Sequence, residues 1–373
     1  MKVGILTLKL HSNFGFLMQS YALQTIVRRL GHEPYHFYIK EEPISLWKKA
    51  ELLVKKAIKN VCFGEHFKLF PYYPTAEDYA FKDKNTWRFI HDNISLTPYI
   101  PSLTTEHTNK IPKYDSYIVG SDQVWRREFT DDILCYYFNF VQEDKKRMSY
   151  AASFGTDTIS YSKRKLNLCK DLLNKFDLVT VREDDGVRIC KEYFDHDAIK
   201  VIDPTLLLTS DDYEKLIDVN ETSLSQEAYV FVYLLRPTEE KTNFVEKFSR
   251  EKGIKVVNIM PKMLEKVGKG RINECVFPSI STWLKGFKEA SYVITDSFHA
   301  SVFSIIFNKQ FFVINDKIGG VTRIPSLLNM LNLNDRYANV YKPDLEEIDY
   351  DSINKILLDK RNEAINLIKT FLK

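Results

Sequence analysis

Apolar positions along this chain alternate between short continuous runs and amphipathic stretches, the pattern of strands buried on both faces and helices buried on one. Val3–Leu8 is the first apolar run and reads as a buried strand. A polar loop, His11 to Gly15, follows it. Leu17, Tyr21, Leu23, Ile26, Val27 and Leu30 then recur at helical spacing, with Gly31 as the stop. Strand, glycine-bearing loop and helix form the opening unit of a parallel α/β domain.

The rhythm returns after residue 110. Tyr114–Val119 reads as a strand ending in Gly120-Ser-Asp-Gln-Val-Trp125, and Arg147–Ser153 as a strand ending in Phe154-Gly155. A helix over Tyr161–Phe176 leads to the strand Leu178–Val181 and then to Arg182-Glu-Asp-Asp-Gly186. Lys200–Ile202 is a short strand closed by Asp203-Pro204. The polar, turn-rich stretch 209–228 reads as a connection between domains. Beyond it come strands at Tyr229–Leu235, Lys255–Met260, Tyr292–Thr295 and Phe311–Ile314. Helices alternate with them at Glu239–Lys252, Ser281–Ala290 and Ser297–Phe307, and a long amphipathic helix runs over Ile353–Leu372. The expected organisation is an N-terminal Rossmann-like domain over 1–208, a linker over 209–228 and a C-terminal Rossmann-like domain over 229–373. The two face a cleft, and the last helix packs back on the first domain. A length of 373 residues suits two domains, because single cores tend to split beyond roughly 250–300 residues.

Residues 41–110 fit the alternation less well. They are rich in aromatics and lysines, including FKLFPYYP at 67–74, and no strand is assigned there. Trp47–Cys62 has the spacing of a basic amphipathic helix carrying Lys48, Lys49, Lys55, Lys56 and Lys59. Its basic side is either a solvated face or a contact with an anionic membrane surface.

Charge and cysteine content narrow the function classes. The formal net charge is +3, which gives no concentrated basic surface for nucleic acid. Five scattered cysteines (Cys62, Cys135, Cys169, Cys190, Cys275) form no C-x-x-C pair, so neither a zinc site nor a disulfide framework follows. The first apolar run is too short for a signal-peptide core, and no apolar stretch approaches the roughly 18 residues of a spanning helix. A cytoplasmic protein is expected, at the inner face of the membrane if the basic helix makes that contact.

In parallel α/β sheets, ligands bind beyond the carboxyl ends of strands, and the chemistry-bearing residues gather there. His299 lies in Thr295-Asp-Ser-Phe-His-Ala-Ser301, where a strand gives way to a helix whose free N–H groups favour an anion. It can donate a proton there, or simply pack behind a helix cap at Asp296 or Ser297. A helix N-terminus keeps imidazole neutral unless a carboxylate or anionic substrate offsets it, and Asp296 and Asp122 are the candidate carboxylates. Asn13, Gly15 and Gln19 are a neutral hydrogen-bonding set suited to a sugar or phosphate, or an ordinary turn. They match neither a P-loop nor G-x-G-x-x-G, against nucleotide readings. Asp122 is a general base or a helix cap, and Trp125 a platform for a pyranose or a core residue. Arg182 and Arg323 have the planar fork that suits carboxylate and phosphate. Arg182 has a structural alternative in its neighbours Glu183, Asp184 and Asp185.

Taken in order, NFGFLMQSYALQ (13–24), YDSYIVGSDQVW (114–125), SYAASFG (149–155), VTVREDDGV (179–187), VIDPTLLL (201–208) and VITDSFHASVFSIIF (293–307) resemble the polysaccharide pyruvyl transferases. The resemblance spans about residues 2–335. It implies two Rossmann-like domains similar to GT-B glycosyltransferases. It also implies transfer of the pyruvyl unit of phosphoenolpyruvate to two hydroxyls of a carrier-linked sugar, giving a cyclic ketal on a surface polysaccharide or its precursor. No metal and no cofactor besides the donor is implied. His299 matches the family's acid–base histidine, Arg182 matches a donor-binding arginine, and the backbone around Phe298 would touch the donor. Some members carry arginine where this chain has Ser297, and Arg323 is the expected replacement, with the helix N-terminus at Ser297 assisting. Two other readings fit the same architecture: a glycosyltransferase using a nucleotide sugar, and a non-catalytic sugar-binding protein.

Overall fold

A computed structural model describes residues 1–10, 13–39, Val54, 74–104, 111–267, 269–314, 322–337 and 346–373. The expected basic helix over Trp47–Cys62, the segment 67–73, residues 11–12 of the first loop and Gly319–Val321 lie outside the described residues.

Two parallel sheets organise the chain. The first has the order β2-β1-β3-β4-β5-β6, from β1 (Lys2–Leu6), β2 (Glu33–His36), β3 (Ser116–Val119), β4 (Lys146–Ala152), β5 (Leu178–Val181) and β6 (Ile199–Lys200). The second has the order β10-β9-β7-β8, from β7 (Tyr229–Tyr233), β8 (Lys255–Asn258), β9 (Tyr292–Thr295) and β10 (Gln310–Val313). Every pairing is parallel. The central strands β3 (SYIV) and β7 (YVFVY) are buried at every position, because helices cover both faces of a parallel sheet.

The helix Phe14–Arg29 starts three residues before the first apolar position of its periodic pattern. Asn13 sets that start: its side chain accepts from Phe16 N at 3.2 Å, satisfying one of the free donors of the first turn. Gly31 ends the helix with φ of +85°, a conformation glycine adopts without penalty. Between residues 74 and 104, where no strand is assigned from sequence, lie the helices Ala76–Lys82 and Lys84–Asn93. The first is held by a capping box between Thr75 and Asp78. The polar stretch after residue 208 also holds a short helix, Ser210–Glu214, and Asp212 in it pairs with Arg29 at 2.6 Å.

The largest hydrophobic cluster joins the two sheets. It runs from Ile5 and Leu17 through Leu206 and Tyr213 to Trp283, Val293 and Phe303. The closing helix, Tyr350–Phe371, leaves the second half and lies against the first: Arg361 Nε donates to Leu206 O at 2.9 Å, and Lys146 Nζ donates to Phe371 O at 3.3 Å. No described helix is long and apolar enough to cross a membrane.

One buried histidine of this core makes a pH-dependent contribution. His36, at the end of β2, has its Nε2 3.2 Å from Thr7 Oγ1 and is fully buried, and burial carries its pKa from 6.5 to about 3. The unfolded chain therefore takes up a proton below pH 6.5 that the folded chain refuses until about pH 3. Stability from this group is complete above pH 6.5 and falls on acidification, by about 1.4 kcal/mol per pH unit in that window. In urea unfolding at pH 7.5 and pH 5, His36→Gln should lose less stability on acidification than the wild type. Equal losses in the two proteins would contradict this.

Candidate active site

The carboxyl ends of β3, β5, β6 and β9 converge on one buried ionic cluster. Each strand delivers its residue within four positions of its carboxyl end. Asp122 follows β3, Arg182 and Glu183 follow β5, Asp203 follows β6, and Phe298 and His299 follow β9. Arg323 comes from the helix Arg323–Met330.

Arg182 is the hub. Its Nη1 lies 2.8 Å from Asp203 Oδ2, its Nη2 3.5 Å from Asp122 Oδ1, and its Nε 3.6 Å from Glu183 Oε2. The structural ion pairs are thus realised, within a cluster that gathers at the strand ends. Of its sequence neighbours, only Glu183 pairs with it. Asp184 binds Lys200 at 2.7 Å and accepts from Ser326 Oγ at 2.8 Å, and Asp185 binds Arg188 at 3.1 Å. The Arg182 guanidinium carbon lies 4.5 Å from the Phe298 ring centroid, and that of Arg323 lies 5.9 Å from it. Two cations therefore flank one aromatic ring, a cation–π arrangement that holds both guanidiniums in place. Arg323 Nη1 also reaches Asp122 Oδ1 at 3.5 Å.

Asp122 adopts φ of +72°, a left-handed conformation that costs energy in a non-glycine residue and recurs at functional sites. It caps no α-helix. Burial alone would raise its pKa, but the charges of Arg182, Arg323 and His299 outweigh that and hold the carboxyl below its ordinary value. Asp203 is more strongly affected. Burial opposes ionisation, yet His299 and Arg182, with the hydrogen bond from Thr205 N, bring its carboxyl to about 2.

His299 sits in the first turn of the helix Phe298–Ile306, which Ser297 caps by accepting from Ala300 N at 3.4 Å. The residue is 7% exposed, and its Nε2 has no hydrogen-bond partner among the described residues. Burial lowers its pKa, while Asp203 and Asp122 pull it back up and Arg182 and Arg323 oppose them. The carboxylate nearest Nε2 is Asp203, with Oδ2 at 3.8 Å. Asp296, one of the two carboxylates expected from sequence, is turned away. It accepts from Leu235 N at 2.6 Å and Arg236 N at 3.1 Å and pairs with Lys241 Nζ at 2.6 Å.

The four residues expected to meet an acceptor sugar have other positions. Trp125 is 1% exposed and lies in the core, stacked on Tyr137 at 5.2 Å and packed against Phe154, with its Nε1 donating to Tyr136 O. So little of the ring is exposed that no face is left for a pyranose to stack on, although Trp125 borders the cavity beyond the ends of β3 and β4. Gln19 is fully buried and donates to Ser20 Oγ at 2.7 Å, which removes it from any sugar surface. Asn13 is occupied as a helix cap. Gly15 makes a close approach, but to a side chain of this chain: a Cβ built there would lie 2.2 Å from His299 Cγ and 2.3 Å from its Nδ1. Glycine is what lets the imidazole settle against the first helix. Gly15→Ala should therefore displace the His299 ring and lower kcat at least tenfold, at an overpacking cost of about 1–3 kcal/mol read from the thermal midpoint. A variant as active as the wild type would show that the ring position is immaterial.

Sequence reading missed Asp203 as a site residue. Its signal was present, since Asp203-Pro204 closes a strand as the other site loops do, but a capping role explains an Asp before Pro equally well. It does cap the Pro204–Leu207 turn, with Oδ1 accepting from Thr205 N at 3.0 Å and Thr205 Oγ1 at 2.7 Å. The other oxygen carries the ion pair. Arg126 was missed too. Its Nη1 donates to Gln123 Oε1 at 2.8 Å, and it lines a cavity of about 90 Å³ with Glu128, Phe154, Ser160 and Tyr161, beyond the ends of β3 and β4. Among the described residues no group of three or more His, Cys, Asp or Glu is placed to hold a metal ion.

The sequence profile of the polysaccharide pyruvyl transferases matches residues 13–317, most of the chain. This chain belongs to that family. The transferase has no match among curated protein sequences. Among solved structures it is similar to MnaA of S. aureus in complex with UDP, at 13% identity and a TM-score of 0.50, over 100% of this chain and 96% of that one. A UDP-GlcNAc 2-epimerase from Methanocaldococcus jannaschii is similar at 10% identity and a TM-score of 0.49, over 97% of this chain and 93% of that one. The likeness to MnaA concerns the fold: the transferase has the mixed α/β, two-domain GT-B-like architecture with parallel sheets.

Proposed function

We propose that this transferase moves the pyruvyl unit of phosphoenolpyruvate onto two hydroxyls of a sugar, within a surface polysaccharide or its carrier-linked precursor, to form a cyclic ketal. The observation that carries this reading is the pair Arg182 and Arg323 flanking Phe298, one residue before a buried histidine with an unpartnered Nε2, in a chain of this family. The donor carries a phosphate and a carboxylate on the same carbon, and two planar guanidiniums suit two such anions.

His299 gives a proton to the donor's methylene carbon, which becomes a methyl group. The neighbouring carbon then accepts one sugar hydroxyl, and the phosphate leaves with its bonding electron pair. The second hydroxyl closes the ketal, and the two hydroxyl protons pass to the departing phosphate and to Asp122, which acts as the base. Its suppressed pKa makes it a weak base while both arginines face it. A donor that engages those arginines relaxes that hold. The acceptor approaches from the ends of β3 and β4, where Arg126, Glu128 and Ser160 offer hydroxyl-binding groups around the cavity.

The deciding experiment is incubation of the purified protein with phosphoenolpyruvate and a panel of sugar acceptors, followed by phosphate assay and mass spectrometry of the acceptor. Acceptor-dependent phosphate release with a pyruvyl ketal on the sugar is the expected result. Nucleotide release from UDP- or GDP-sugars, with phosphoenolpyruvate untouched, would replace this reading with a glycosyltransferase.

A further inference from the structure

The cluster around His299 sets two guanidiniums, Arg182 and Arg323, against three carboxylates, Asp122, Glu183 and Asp203. Within these direct ion pairs among the described residues, a neutral imidazole leaves three carboxylates facing two guanidiniums, while the charge of Arg126 acts on Arg323 from outside them. A buried nest of that balance resists a further anion unless a proton enters with it, since unpaired charge is costly away from water. His299 is the group able to take that proton. Asp203 faces it from the turn after β6, Asp122 from the end of β3, Arg182 from the end of β5, and Arg323 from the helix Arg323–Met330, while Gly15 closes the side toward the first helix.

We propose, on the phosphoenolpyruvate reading above, that anion binding at Arg182 and Arg323 is coupled to uptake of one proton from solvent by His299, and that Asp203 is the positioning residue whose carboxylate receives the imidazolium. Asp203 is built for that role. Its Oδ1 is fixed by two hydrogen bonds from Thr205, so the carboxylate does not rotate away. Its Oδ2 accepts from Arg182 Nη1 at 2.8 Å and Ser121 Oγ at 2.9 Å, with His299 Nε2 3.8 Å away. An incoming anion draws the Arg182 guanidinium toward itself, and the charge of Asp203 then serves the imidazolium instead. The proton taken up is the one delivered to the donor's methylene carbon, so loading the acid and binding the donor become one event.

Two measurements test this. The first needs no donor: wild type and Asp203→Asn, labelled with ¹³C-histidine, are titrated by NMR with His299 assigned through His299→Gln. His299 should titrate at lower pH in Asp203→Asn than in the wild type, and identical titration overturns the role of Asp203. The second is calorimetry of phosphoenolpyruvate binding, with inorganic phosphate as a second probe, in buffers of different ionisation enthalpy. The wild type should take up about one proton near neutral pH, with Kd rising about tenfold per pH unit as pH increases. Asp203→Asn should still bind the anion but without the proton. A merely structural Asp203 would change stability and affinity while leaving the proton count intact. Should Asp203→Asn fail to fold, the wild-type proton count decides the coupling, and binding without uptake overturns it. Failure of phosphoenolpyruvate alone to bind removes the donor reading, while phosphate binding and the NMR comparison still decide this one.

Discussion

His299→Ala is expected to lower kcat by 100-fold or more while the protein remains folded. Positioned general acids contribute about 10²–10⁴-fold, and His299 is the imidazole of the cluster, with a buried Nε2 that has no hydrogen-bond partner among the described residues. The fold should survive, because His299 Nε2 makes no hydrogen bond and the helix Phe298–Ile306 is anchored by Ser297 and by the apolar contacts of Phe303. Phosphate release under saturating donor and acceptor, with circular dichroism as the folding control, gives the comparison. A variant retaining more than about a tenth of wild-type kcat would remove His299 from the chemistry.

Arg182→Ala carries the second large effect, and it falls on stability as well as activity. The side chain is 3% exposed and serves Asp203, Asp122 and Glu183 at once. Its loss strands buried carboxylates, and breaking a buried ion pair typically costs about 3–5 kcal/mol. Arg182→Lys separates the two roles. An ammonium keeps the charge but meets fewer of the three carboxylates, and it lacks the planar contact 4.5 Å from the Phe298 ring. Stability should fall less than in Arg182→Ala, while KM for phosphoenolpyruvate rises tenfold or more. If Arg182→Lys loses stability but keeps its KM, the arginine serves the ionic cluster alone.

These two expectations draw on different parts of what the sequence contains. The strand Leu178–Val181 and the helix Glu239–Lys252 could be read to the residue, because continuous apolar runs and N-terminal Thr238 are local signals that a parallel α/β fold leaves in place. The site's loops were legible for the same reason: side chains beyond strand ends are where such sheets put chemistry. What a loop residue faces was not legible. Asp296 sits three residues from His299 in sequence and looked like its partner, but it caps the Leu235–Arg236 backbone and holds Lys241 instead.

By itself, then, the sequence determined the alternation of parallel strands and helices, the strand-to-helix junction that carries His299, and the family motifs. All of these depend on hydrophobic period and on punctuation within a few residues. Tertiary structure alone decided that Asp203 is the carboxylate nearest His299, that Gly15 makes room for its imidazole, and that Trp125 belongs to the core. The reason is that buried charges and rings choose their neighbours across the assembled sheets. Where four strand ends converge, the pairing is set by which groups must share the desolvated guanidinium of Arg182, and that competition exists only once the chain has folded.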